Sequence, residues 1–227
     1  MLKALSLSII SPNRTISIKK EIMDLLDINF DDEILFVLDK NGTVNIRKFE
    51  KNMTLGTGEK YISTSHIFQH RGQTYINLSI TITGDVRHTV NADIGDKILW
   101  IIDNDGNIII RNDVILGECS TNIFNKDIGA LIIGLTQLPH HSKTLPIPKE
   151  IKDILGMHEG DKIVLSLDEY SNIIVSVETG KKAMVHYDTR LIDAVVNILD
   201  NTDKILWFVD EEGNIIIKND LLPDNCT

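Results

Sequence analysis

Arg14, Lys19 and Lys20 form the densest basic cluster in this sequence outside the strand end Arg47-Lys48-Lys51. Lys143, Lys149 and Lys152 offer similar chemistry in the second half. Cations of this kind hold phosphate when several converge, and Glu21 and Asp24 lie near the first three. Other residue types point elsewhere. His140-His141 precede Lys143, but a metal site needs a third and fourth ligand, and Cys119 and Cys226 have no ligand spacing, so polar loop residues are expected. Asp103, Asp105, Asp210, Glu211 and Glu212 lack the spacing of a calcium loop and read as turn carboxylates. Trp100 and Trp207 could stack on bases, yet a large apolar residue at one repeated strand position reads as core. No nucleophile elbow, phosphate-cradling glycine loop or H-E-x-x-H helix occurs. The expectation is no catalytic residue, no metal, no cofactor, and no enzyme.

Composition narrows the class. The 227 residues are 42% hydrophobic and 25% charged, which excludes a disordered or collagen-like chain and a disulfide scaffold. The net charge is −10, and residues 119 onward carry 10 − 17 = −7 of it. Such a body raises no general attraction for nucleic acid, so any DNA contact must come from a local patch. Two cysteines without a C-x-x-C pair suit a reducing compartment. No apolar run approaches the roughly 20 residues of a membrane span. The opening Met-Leu-Lys-Ala-Leu-Ser alternates like a strand and lacks a signal peptide's apolar core. A cytoplasmic protein without membrane contact is expected.

The elements that would position these residues come from repetition. Asp96 to Asp113 (DKILWIIDNDGNIIIRND) and Asp203 to Asp220 (DKILWFVDEEGNIIIKND) are identical at 13 of 18 positions. The frame extends without a gap to four stretches of 21 residues beginning at 16, 80, 145 and 187. A polar segment, 118–129, separates the halves. Domains are therefore expected at 1–118, with units about 5–50 and 61–113, and at 129–227, with units about 130–179 and 181–221.

Each unit reads as strand, short helix, strand, turn, strand. In copy three Thr144 to Ile147 is a short extended piece, Pro148 suits the first helical turn, and Gly156 suits the helix end. Apolar stripes mark the helices at Ile22, Leu25 and Leu26, at Ile151, Ile154 and Leu155, and at Leu191, Ala194 and Val195. In copy two, Gly84 and the threonines before it favour extended structure over helix. Asn41-Gly42, Asp105-Gly106 and Glu212-Gly213 predict two-residue turns with both central residues at positive φ, and Ser171 a looser one. A unit of about 45 residues cannot bury enough apolar surface alone, so units must exchange strands, within one chain or between two.

The third copy, QLPHHSKTLPIPKEIKDILGMHEGDKIVLSLDEYSNIIVSVE, resembles the AbrB/MazE-type (SpoVT/AbrB-like) swapped-hairpin domain. The family pattern is a basic residue, apolar-Pro-apolar-Pro, a helix, Leu-Gly, then Gly-Asp before a strand. Copy one is similar from Ile10 to Phe49, and copies two and four match from the helix onward. The resemblance implies a mostly β fold with short helices: two swapped-hairpin β-barrels, each an intrachain pseudo-dimer of two β-α-β-β units. It further implies a bacterial or archaeal transcriptional regulator that binds DNA through its first loop and helix. Carried over by position, the loop residues are Arg14 and Lys143, the helix-start residues Lys19, Lys20 and Lys149, and the helix-face residues Arg87 and Lys152. The alternative is an acidic module, antitoxin-like or adaptor, that binds a basic protein and no DNA. A small-molecule-sensing regulator is a third class. The expected assembly is a monomer holding two pseudo-dimers, or a homodimer.

Overall fold

The computed structural model describes residues 2–69, 78–112, 130–137, 145–170, 172–178, 195 and 204–222. The fold is mostly β, with curled antiparallel sheets that make a half-barrel. Its elements fall into two compact units.

In the first unit, copy one supplies β1 (Leu2–Ile9), β2 (Thr15–Ile18), α1 (Lys20–Leu26), β3 (Glu33–Leu38) and β4 (Val44–Lys48). Copy two supplies β5 (Lys60–Gln69), β6 (Leu78–Thr81), α2 (Gly84–Thr89), β7 (Lys97–Ile102) and β8 (Ile108–Asn112). The strands run β1-β7-β8-β4-β3-β5-β6-β2. Each copy keeps its own hairpin, but its first strand crosses to the other copy: β1 lies on β7, and β5 on β3. The ladders β2–β6 and β4–β8 join the copies along a local two-fold. The ends of the sheet return to each other, since Ser8 Oγ donates to the Ser17 carbonyl and the Ser11 N–H to the Thr15 carbonyl, both at 2.9 Å.

The core explains the exchange. Ile16, Ile22, Phe36 and Ile46 from copy one pack in one cluster with Ile80, Val86, Trp100 and Ile110 from copy two. Neither set could be shielded by its own short helix and hairpin. Bulges sharpen the curl: β1 skips a partner at Leu5 beside Trp100, and β5 skips one at Ile62 beside Phe36, the equivalent place.

The second unit holds β9 (Ala130–Gln137), α3 (Lys149–Ile154), β10 (Ile163–Leu167), β11 (Ile173–Val177), β12 (Lys204–Asp210) and β13 (Ile215–Asn219). Its order, β10-β11-β13-β12-β9, repeats β3-β4-β8-β7-β1. The bulge recurs at Ile133 beside Trp207. Gly134 faces that tryptophan because a Cβ there would lie 2.8 Å from Pro148 Cγ. Val195 is helical and packs on this unit's core, whereas Leu191, Ala194 and Ser171 lie outside the described residues.

Three local expectations need correction. Copy two does form a helix, because the Thr83 hydroxyl accepts the Val86 N–H and Val86 is fully buried. That cap and that burial outweigh the low propensity of Gly84. The hairpin turns are three residues wide, not two. Only Gly42, Gly106 and Gly213 take positive φ there, each at 83°, as in a type I turn closed by a left-handed glycine. The preceding aspartate fixes that geometry: Asp103 Oδ1 accepts the Asp105 and Asn107 N–H groups at 2.9 and 2.8 Å, and Oδ2 accepts Asn107 Nδ2 at 2.8 Å. Asp210 repeats the pattern, and so does Asp168 beside Ser171. Finally, Leu145 to Ile147 form no strand, and Pro148 is the N-cap of α3, one residue before its first turn.

Candidate nucleic-acid interface

The β2–β6 ladder pairs Thr15 with Thr81 and Ile18 with Leu78, so the local two-fold crosses its middle. At one end Arg14 sits in the left-handed region at φ 62°, a conformation disfavoured for a residue with a long side chain. Two backbone bonds hold it there: its N–H donates to the Ser11 carbonyl at 2.8 Å, and its carbonyl accepts the Ile82 N–H at 2.8 Å. The side chain is exposed. Arg14 therefore stands beside the start of α2, not of α1. Lys19 and Lys20 lie beyond the four residues of β2, at least five residue steps or roughly 16 Å away along the strand. They are exposed, and Lys20 reaches Asp24 at 2.8 Å in a solvent-facing pair worth little against a competing phosphate.

The other predicted cations are placed differently. The Arg87 side chain is only 19% exposed and its Nη1 lies 3.4 Å from Asp93. Its Nε is buried with no partner. Lys149 and Lys152 are exposed on α3. Lys143, His140 and His141, Cys119 and Cys226 lie outside the described residues. In the strand-end cluster that looked basic in sequence, Arg47 and Lys48 are spent internally and Lys51 is exposed. Arg47 Nη1 holds Glu59 Oε2 at 3.0 Å, and Lys48 holds Asp32 at 3.1 Å and the Asp27 carbonyl at 2.9 Å. The Asn29 N–H, with Lys48 behind it, holds the Asp32 carboxyl below its usual range.

The opposite pole of the two-fold is polar and acidic. On the β4–β8 ladder a cleft of about 220 Å³ is lined by Asp39, Asn45, Arg47, Glu59, Asp103 and Asn107, among others. The Asp39, Glu59 and Asp103 carboxylates are already engaged by turn N–H groups, Asn107 and Arg47. Among the described residues, no group of three or more His, Cys, Asp or Glu could hold a metal ion. Glu59 and Asp93, which spend Arg47 and Arg87, went unrecognised in the sequence because they sit on loops with no periodicity.

Glu59 gives a pH prediction. Arg47, then the Gly56 N–H, lower its carboxyl from the ordinary 4.5. A lowered folded value means the ion pair stabilises fully above that ordinary value and is lost as pH falls through the folded one. Thermal melts between about pH 5 and pH 3 should thus fall more steeply for the native chain than for Glu59→Gln. Parallel curves would show that the pair contributes nothing.

Trp100 and Trp207 are fully buried and donate to Ser8 Oγ at 3.2 Å and Thr136 Oγ1 at 2.9 Å, so they are core and no base platform. No helix among the described residues is long and apolar enough to cross a membrane. The chain matches no family model, no curated protein and no solved structure.

Proposed function

We propose that the chain is an AbrB-type transcriptional regulator that binds DNA across the β2–β6 ladder, with Arg14, Lys19 and Lys20 as the contacts of its first unit. In this reading both units are swapped-hairpin barrels, each an intrachain pseudo-dimer, working in the cytoplasm. Lys149, Lys152 and Lys143 do the same work in the second unit, while Arg87 is held by Asp93 and adds no contact. The exchange of β1 and β5 supports the swapped-hairpin part. The observation that carries the DNA part is Arg14: an exposed guanidinium on a backbone conformation that glycine would occupy more comfortably. Retaining arginine there costs folding free energy and leaves the side chain to solvent, as a contact residue requires.

Arg14→Gly separates these roles. It should raise the melting temperature, relieving roughly 1 kcal/mol of left-handed strain. It should also weaken duplex binding, because one cation is lost from the contact surface. Fluorescence anisotropy with mixed genomic duplexes at low salt makes the measurement. No binding by folded native chain, or binding by Arg14→Gly unchanged, refutes the reading. The charge of −10 favours the second reading, an acidic module for a basic protein partner. Stoichiometric, nuclease-resistant capture of such a protein by a chain that ignores DNA would establish it.

A further inference from the structure

A two-fold protein with identical halves meets DNA through two identical half-sites, and its target is palindromic. The first unit keeps the two-fold in its backbone and breaks it in its cations. Each position of copy one has a counterpart 64 residues on, since the frames begin at 16 and 80. Opposite Arg14 stands Leu78, and opposite Lys19 and Lys20 stand Thr83 and Gly84. The Thr83 hydroxyl is engaged with Ser63 at 2.9 Å and with the α2 cap, and Gly84 has no side chain. Arg87 does not restore the balance, because Asp93 holds it against the protein.

The pairing across copies then decides what each end of the ladder presents. One end joins Arg14 to the Thr83-Gly84 junction, through the bond from Ile82 to the Arg14 carbonyl. The other joins Lys19 and Lys20 to Leu78, the partner of Ile18. An arginine faces one half-site and a lysine pair faces the other. These are unlike instruments. The planar guanidinium fork can pair bidentately with a guanine edge, whereas ammonium groups are compact charges that hold phosphate without reading sequence.

We propose that the first unit recognises a non-palindromic DNA site with a fixed polarity, one half read by Arg14 and the other held by Lys19 and Lys20 through phosphate charge. This rests on the DNA-binding reading above and goes beyond it in naming the class of target.

The test is selection of the full chain against a random duplex library, followed by salt titration of the winning duplex. The native chain should return a motif with its sequence information concentrated in one half. Arg14→Lys, which keeps the charge, should keep the salt slope and flatten that informative half. Lys19→Ala/Lys20→Ala should return the same motif with a slope lower by about 1.8, two contacts at 0.9 each. All three positions are exposed, and circular dichroism of each variant checks the fold. A palindromic motif with equal information in both halves overturns the proposal, as does an unchanged motif for Arg14→Lys. An unenriched library with flat titrations at low salt instead removes the DNA reading itself, and this inference with it.

Discussion

Replacing Trp100 by alanine is expected to cost the first unit about 3–5 kcal/mol, the usual range for truncating a fully buried aromatic. A domain of this size holds only about 5–15 kcal/mol in total, so the variant should be partly unfolded near body temperature. The effect is large because Trp100, on β7 of copy two, fills the space under β1 of copy one, opposite the bulge at Leu5. Its loss opens a cavity on the seam of the exchange. Trp100→Phe separates packing from hydrogen bonding. It keeps most of the apolar volume and gives up the bond to Ser8 Oγ, which still bonds Ser17. That variant should lose about 1 kcal/mol or little more. Both substitutions leave the first unit without a tryptophan, so circular-dichroism melts of the native chain and of each variant read the loss. A loss under 1 kcal/mol for Trp100→Ala would mean that the seam is not packed as described.

Repetition made the main architecture legible. Thirteen identities in eighteen residues located β7–β8 and β12–β13, and the Asp-Gly and Glu-Gly pairs located their turns. The helices were harder, because seven residues hold barely two turns. Their real buried stripe in α1 is Ile22, Met23 and Leu26, while Leu25 is 49% exposed. Gly156 marked the end of α3, yet the same left-handed closure falls on Asp27 and Asn91 in the first two copies, where the sequence gives no glycine to signal it. Turn width was misjudged for a related reason: the aspartate three residues before each glycine sets the geometry, and a dipeptide rule does not look that far back.

The candidate interface was legible in residue type and not in arrangement. Arg14, Lys19 and Lys20 are close in sequence, and the chain's local order suggests one cluster. Strand β2 separates them, and the ladder with β6 gives Arg14 a neighbour from the other copy instead. Sequence likewise offered Arg87 as a helix-face cation, but a carboxylate six residues downstream folds back onto it. Both outcomes depend on contacts between segments that no local pattern relates.

Exchange of first strands between copies is the claim beneath all of this, and a pair of engineered disulfides addresses it. Ile9 on β1 lies directly opposite Lys97 on β7 of the other copy. Glu33 is the counterpart of Lys97 within Ile9's own copy, since 33 + 64 = 97. Directly opposite residues in an antiparallel pair have Cβ atoms close enough to bridge, whereas strands that are not neighbours cannot be bridged without moving the backbone. In a Cys119→Ser/Cys226→Ser background, Ile9→Cys/Lys97→Cys should oxidise readily. Closing a loop of roughly 90 residues should stabilise the first unit by up to about 4–5 kcal/mol on the chain-entropy account. Peptide mapping by mass spectrometry reads the result. The exchanged fold predicts a bridge in Ile9→Cys/Lys97→Cys and none in Ile9→Cys/Glu33→Cys. A bridge between positions 9 and 33, with 9 and 97 left as free thiols, would contradict it.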